Sequence, residues 1–317
     1  MAKFNFIAPV KVLIIDDVAD LLITGLEEIG NSITYLPNIN RAEIIAIIAS
    51  FEVLVVRTKT LIDNEIFEAA KNLKIIARAG SGLDNIDLSI AAQRNIICIN
   101  AGEANADAVG EFTLGALLNL FRNINIANTQ VKNKIWDRDG NRGLEMKGKT
   151  LGIIGFGNTG KAFAKKLAGF EVKVLAYDKY LKNYSNQYAQ ETTMEEIFEK
   201  ADILSLHVPL TSETQNMVNG KFLGQFKKKI YLLNMCRGEV VNMPETIEYI
   251  NNNIILGAAF DVLENEKLTT LSNQQQKDFD YLINNKKVVL SPHIAGWTFE
   301  SYEKIAQSIL LKLTNLK

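Results

Sequence analysis

A chain of 317 residues with 47% apolar and 22% charged side chains has the balance of a folded globular protein, and its length suggests two domains at about 150 residues each. Its 35 lysines and arginines against 36 acids give a net charge of −1, so no concentrated basic face is expected for nucleic acid. The longest uncharged stretches, such as Ile29 to Asn40, span 12 residues against the roughly 20 of a membrane-crossing helix, so no membrane span is expected.

Met1 to Val10 carries one early lysine and a short apolar patch cut off by Lys11, which does not read as a secretory signal. Short β-branched runs then alternate with amphipathic helical stretches, the pattern of an α/β protein with parallel sheets. Strands are predicted at Val10 to Ile15, Ile33 to Leu36, Val53 to Val56, Ile75 to Ala77 and Ile96 to Ile99. A single proline-free helix is predicted over about 107 to 134, as a connector between domains. A second series follows at Thr150 to Ile154, Glu171 to Tyr177, Ile203 to His207, Ile230 to Asn234, Ile254 to Phe260 and Val288 to Leu290. Six strands alternating with helices is the count of a doubly wound dinucleotide-binding sheet. An amphipathic helix is predicted from Glu300 to Lys317. Cys98 and Cys236 stand apart, without a CxxC or Cys/His cluster, so no metal site or disulfide framework is read and a reducing cytoplasm is expected.

The strand Leu151 to Ile154 runs into Gly155-Phe-Gly157-Asn-Thr-Gly160, a GxGxxG turn that opens a helix-forming run, and Asp178 ends the next strand. Glycines at these positions let the backbone approach a pyrophosphate, and the following helix N-terminus offers amide donors and a favourable dipole. Gly155, Gly157, Asn158, Thr159 and Gly160 are therefore expected cofactor contacts. Asp178 would accept bonds from the adenosine ribose and repel a 2′-phosphate, which favours NAD over NADP.

Only His207 and His293 offer a side chain that titrates near neutrality. His293, in Ser291-Pro-His-Ile-Ala-Gly-Trp297, lies just past the sixth strand of the second series. A hydride-transfer enzyme acting on a 2-hydroxy acid needs a cation for the carboxylate, a proton shuttle on the reacting oxygen, and an anion to orient that shuttle. Arg237, His293 and Glu266 follow successive strands and fit those three roles, and a carboxylate beside His293 would favour its imidazolium. Read singly, an arginine after a strand, a loop glutamate and a histidine such as His207 at a strand end also fit plain structural roles.

These segments together resemble the D-isomer-specific 2-hydroxyacid dehydrogenases. The resemblance rests on Val56 to Thr60, Ala77 to Asn85, Leu151 to Gly160, Leu206 to Thr211, Asn234 to Gly238, Ala259 to Val262 with Glu266, and Ser291 to His293. It implies two Rossmann-like parallel-sheet domains, a cofactor domain over 102–289 inserted into a split substrate domain of 1–101 and 290–317. It carries the catalytic roles onto Arg237, Glu266 and His293. It carries cofactor contacts onto Ser81, Asn158, Thr159, Asp178, His207, Val208, Pro209, Met235, Cys236, Asp261 and Gly296. Ser81 and Gly82 would hold the substrate carboxylate through backbone amides, and Arg57 and Arg78 match the arginines that face a substrate phosphate in the family's phosphoglycerate branch.

The activity so implied is NAD-dependent interconversion of 3-phosphoglycerate and 3-phosphohydroxypyruvate, at the entry to serine synthesis. Reduction of glyoxylate, hydroxypyruvate or another 2-keto acid is the alternative, and a dinucleotide-sensing corepressor scaffold on the same fold is a remote one. A homodimer built through the cofactor domains is expected, with Trp136-Asp-Arg138 crossing to the partner. Three departures stand out. Leu263 and Lys267 replace the family's Phe and Pro, which is expected to loosen the loop of Glu266; Glu103 puts an acid near the hinge; and the chain stops at Lys317, where longer members continue into a serine-sensing domain.

Overall fold

The computed structural model describes residues 9–316, so Met1 to Ala8 of the N-terminal segment lie outside the described residues. The chain divides into two compact units, Met1–Asn105 with Trp297–Lys317, and Ala106–Gly296. Both junctions fall a few residues beyond those expected at 101/102 and 289/290, for local reasons. Ala101 donates its amide to Gly80 and Asn105 accepts from Ser81, tying this segment to the first unit. The 291–295 loop is bonded instead to Asp261 of the second.

The first unit holds five parallel strands, β1 (Lys11–Ile14), β2 (Ser32–Tyr35), β3 (Val53–Val56), β4 (Ile75–Arg78) and β5 (Ile97–Asn100), in the order β2-β1-β3-β4-β5. The central strands are buried on both faces, so Val12 to Ile14, Val53 to Val56 and Ile75 to Ala77 are apolar without a break. Val12, Ile14, Val53 and Val55 enter one core, with Ile305, Ile309 and Leu313 of the last helix, Phe299–Asn315. Leu13, Leu54 and Val56 enter the other. This is the continuous hydrophobic signature of a buried parallel sheet.

The second unit has β6 (Thr150–Ile154), β7 (Lys173–Tyr177), β8 (Gln190–Glu191), β9 (Ile203–Leu206), β10 (Ile230–Asn234), β11 (Ile255–Phe260) and β12 (Val288–Leu290). The order is β12-β11-β10-β9-β6-β7-β8, all parallel. The seventh strand, β8, is a two-residue edge strand too short to show an apolar pattern. Strand order reverses between β6 and β9, and a crevice opens at the carboxyl ends of strands at such a point. Two cores sandwich this sheet, with Ile230 and Leu232 in one and Leu151, Ile153 and Leu233 in the other.

The expected single connector helix is two, Ala106–Arg122 and Ile124–Lys132. Asn123 between them has φ 53°, a left-handed conformation that a continuous helix excludes and that asparagine tolerates better than most residues. Among the described residues no helix is long and apolar enough to cross a membrane.

Candidate active site

The turn after β6 sits at the strand-order reversal. Gly155 has φ 90°, and a Cβ there would lie 2.3 Å from the carbonyl oxygen of His207. A Cβ at Gly160 would meet the Gly155 carbonyl at 2.2 Å, so this glycine lets the helix Asn158–Lys166 rise directly off the strand. Gly157 faces nothing within 4 Å, and no side chain caps the helix amides there. An open concavity in front of uncapped N–H groups suits a pyrophosphate.

Asp178, just past β7, accepts the amides of Phe156 at 2.8 Å, Tyr180 at 2.9 Å and Leu181 at 3.0 Å. Burial pushes its carboxyl up, but these amides outweigh burial and hold it below the usual carboxylate range. Of about four acceptor positions on an ionised carboxylate, three are used, which leaves one for a ribose hydroxyl. Lys179 beside it pairs with Glu213 at 2.5 Å.

His207 is buried, with Nε2 at 2.9 Å from Ser205 Oγ and Nδ1 at 3.2 Å from Thr159 Oγ1, and its ring packs on Phe163. Burial lowers its pKa to about 4, so the ring is neutral and links the phosphate turn to β9. Val208 packs beside Gly155, and the Pro209 carbonyl accepts from Thr214. Met235 and Cys236 are buried after β10, and the Cys236 thiol donates to Asn234 Oδ1 at 3.0 Å. Burial raises both cysteines, Cys98 and Cys236, to about 11, so neither is a thiolate near neutrality.

The acid–base candidates lie at the carboxyl ends of neighbouring strands. His293 Nδ1 is 2.8 Å from Glu266 Oε1 and 3.0 Å from Oε2. Arg237 follows β10, its Nη1 donating to the Cys236 carbonyl at 2.6 Å. The turn that carries it abuts the Glu266 loop, since a Cβ on Gly238 would lie 1.9 Å from the Leu263 carbonyl carbon. In place of the family's proline, the Lys267 amide donates to Asn265 Oδ1 at 3.0 Å, and Asn265 Nδ2 reaches the Thr270 carbonyl at 3.1 Å. Proline could not make the first of these bonds, so the departure that suggested a looser loop brings its own tie.

Asp261 takes a part that the sequence pattern did not reveal. Only 1% exposed, its carboxylate accepts from Ser291 Oγ at 2.6 Å, the Ile294 amide at 2.9 Å and the Ala295 amide at 2.7 Å. Its carbonyl accepts from the His293 amide at 2.7 Å. These four bonds hold His293 at φ 56°, a conformation costly for a non-glycine residue unless its surroundings enforce it. Gly296 follows in the same loop. Nothing in a run of one sequence signals a clamp between residues some thirty positions apart.

In the first unit, Arg57 and Arg78 stand at the carboxyl ends of adjacent strands, because Val56 pairs with Arg78 in register. The Arg78 guanidinium lies over Gly80, where a Cβ would sit 1.6 Å from Nη1. Ser81 donates to Asn105 Oδ1 at 2.6 Å, and Gly82 lies half-buried in the same turn. Glu103, the acid noted near the hinge, forms an ion pair with Lys312 at 2.6 Å and accepts from Ser308, so it ties the end of β5 to the last helix.

A strand, glycine turn and uncapped helix at the switch point, with an ionised acid ending the next strand, define a dinucleotide-binding protein. Residues 114–295 match the model of the D-isomer specific 2-hydroxyacid dehydrogenase, NAD binding domain. The chain belongs to that family, and NAD is its cofactor. It is 33% identical over 299 residues to a hydroxypyruvate reductase of Thermotoga maritima, covering 94% of each chain. It is also 33% identical over 304 residues to a D-3-phosphoglycerate dehydrogenase of Methanocaldococcus jannaschii, covering 95% of this chain but 56% of that one. A D-2-hydroxyisocaproate dehydrogenase structure superimposes with a TM-score of 0.82 at 24% identity over 96% of both chains, which shows the shared fold.

Proposed function

We propose that the protein is a D-2-hydroxyacid dehydrogenase that interconverts 3-phosphoglycerate and 3-phosphohydroxypyruvate, the first step toward serine. The observation that carries this reading is the pair of guanidinium side chains, Arg57 and Arg78, ending neighbouring strands. Two planar forks on one sheet edge suit a phosphate and have no evident use with a small uncharged substituent.

Bound NAD would supply the hydride chemistry, held by the Gly155 to Gly160 turn and Asp178. Arg237 binds the carboxylate and the C2 oxygen through its two-pronged edge. His293 directs Nδ1–H at Glu266, which leaves Nε2 to take the hydroxyl proton during oxidation and to return it during reduction. Asp261 holds the His293 loop, and His207 steadies Thr159 in the phosphate turn. Ser81 and Gly82 offer backbone amides to the carboxylate.

A second reading keeps this chemistry and takes hydroxypyruvate or glyoxylate as substrate. It is favoured by the 33% identity over 299 residues to the Thermotoga maritima hydroxypyruvate reductase. Replacing both Arg57 and Arg78 with Ala decides between the two. The phosphoglycerate reading predicts that KM for phosphohydroxypyruvate rises by about 100-fold or more, as for loss of a charge-paired anchor, while KM for hydroxypyruvate changes much less. Equal losses on both substrates count against it.

We also infer a homodimer through the cofactor unit, working in a reducing cytoplasm. Ile124, Val131, Ile135 and Trp136 are each more than half exposed along one segment, Trp136 at 84%. Exposed apolar side chains gathered along one segment are a mark of a protein interface. Two free thiols fit the reducing setting.

A further inference from the structure

Arg57 is fixed at its backbone from both sides. Its N–H donates to the Asp16 carboxylate, and its carbonyl accepts from Asn85 Nδ2 at 2.9 Å. Side-chain torsions alone remain to place the charge, and two aromatic rings constrain them. The guanidinium carbon lies 4.7 Å from the centroid of the Trp297 ring and 5.5 Å from that of Tyr302. The two rings meet edge to face at 5.6 Å.

A hydrogen-bonded base supports this box. Arg57 Nη1 donates to the Asp17 carbonyl at 3.2 Å. Tyr302 donates its hydroxyl to Asp17 Oδ2 at 2.6 Å, and Tyr35 donates to Oδ1 at 3.2 Å. Burial and the adjacent Asp17 push the Tyr302 phenol up, which keeps it a donor. All of these residues belong to the first unit, with Trp297 and Tyr302 at the start of the last helix.

Stacking occupies the face of a guanidinium, whereas anion binding uses its edge, so a stacked arginine keeps in-plane donors for a phosphate. An unsupported arginine surrenders rotamer freedom on binding, and the box removes part of that cost before substrate arrives. We propose that Trp297 and Tyr302 are positioning residues that hold Arg57 to read the second anionic group of the substrate, and so set the preference for phosphorylated over unphosphorylated 2-keto acids. This rests on the role given to Arg57 above.

The test compares kcat/KM for phosphohydroxypyruvate and hydroxypyruvate in the wild type, Arg57→Ala, Trp297→Leu, Trp297→Phe and Tyr302→Phe. The box predicts that Trp297→Leu lowers the phosphorylated-to-plain ratio about fivefold to tenfold, through KM rather than kcat, and that Trp297→Phe restores most of it. Tyr302→Phe, which keeps the ring and loses the bond to Asp17, lies between. Trp297 also reports directly, since the chain has two tryptophans and Trp136→Phe leaves it as the single tryptophan, excited apart from the tyrosines. In that background inorganic phosphate should change its fluorescence, and Arg57→Ala should abolish the response. A ratio that falls in Arg57→Ala but holds in Trp297→Leu, with a silent Trp297, overturns the box and spares the phosphate reading. A wild type with no preference for the phosphorylated substrate overturns the reading beneath it.

Discussion

His207 and His293 occupy opposite surroundings. His293 lies in an open loop against Glu266, whereas His207 is sealed between Ser205 and Thr159 and held neutral with its pKa at about 4. The folded protein resists protonating His207, while the unfolded chain takes up that proton near 6.5. Stability from this residue is therefore complete above about pH 6.5 and is lost as pH falls toward 4, by an amount on the order of 3 kcal/mol. Thermal melts from pH 7.5 to 4.5 should fall more steeply for the wild type than for His207→Gln. Parallel curves would show that His207 does not carry the slope. At this scale much was legible in the chain. The histidine of Ser291 to His293, the glycines of the phosphate turn and Asp178 announce themselves by local spacing. A structural role for His207 was one of the readings open in the chain, but its partners were not legible, because Ser205 and Thr159 come from different elements and Phe163 packs on the ring.

Loops at the carboxyl ends of β10 and β11, and the one following β12, carry the acid–base candidates, and their shapes come from tertiary hydrogen bonds. The 291–295 loop is the clearest case, bonded through one buried carboxylate that spans from β11. Asp261→Asn keeps the size of the side chain but replaces one acceptor oxygen with a donor facing backbone amides. The expected outcome is a fall in kcat of about 10- to 100-fold, larger than any rise in KM for NADH, because His293 loses its fixed direction. If KM for NADH rose tenfold while kcat held, Asp261 would be a cofactor contact and not a clamp. Strand positions were legible within a residue or two, since buried parallel strands write uninterrupted β-branched runs. The break at Asn123 was not, because apolar periodicity continues across it and the left-handed turn of one residue leaves no compositional mark.

Among the described residues twelve parallel strands form two sheets, and the first unit is completed by the last helix. The family resemblance implies such an insertion, and the glycine turn in mid-chain agrees with it, since a dinucleotide-binding unit opens on its first strand and here that strand is β6. Association, by contrast, depends on surfaces whose partner is a second chain. Trp136→Glu places a charge in the proposed interface and should turn a dimer into a monomer by sedimentation or light scattering. A wild type that is monomeric at micromolar concentration, or an undisturbed dimer in the variant, would remove that segment from the interface. The central claim is the activity itself, tested most directly by steady-state NADH oxidation with phosphohydroxypyruvate, hydroxypyruvate and glyoxylate side by side, and with NADPH in parallel. The account predicts turnover with NADH and a kcat/KM for the phosphorylated substrate about 100-fold or more above the other two. Preference for hydroxypyruvate or glyoxylate would contradict it and leave Arg57 and Arg78 as structural residues.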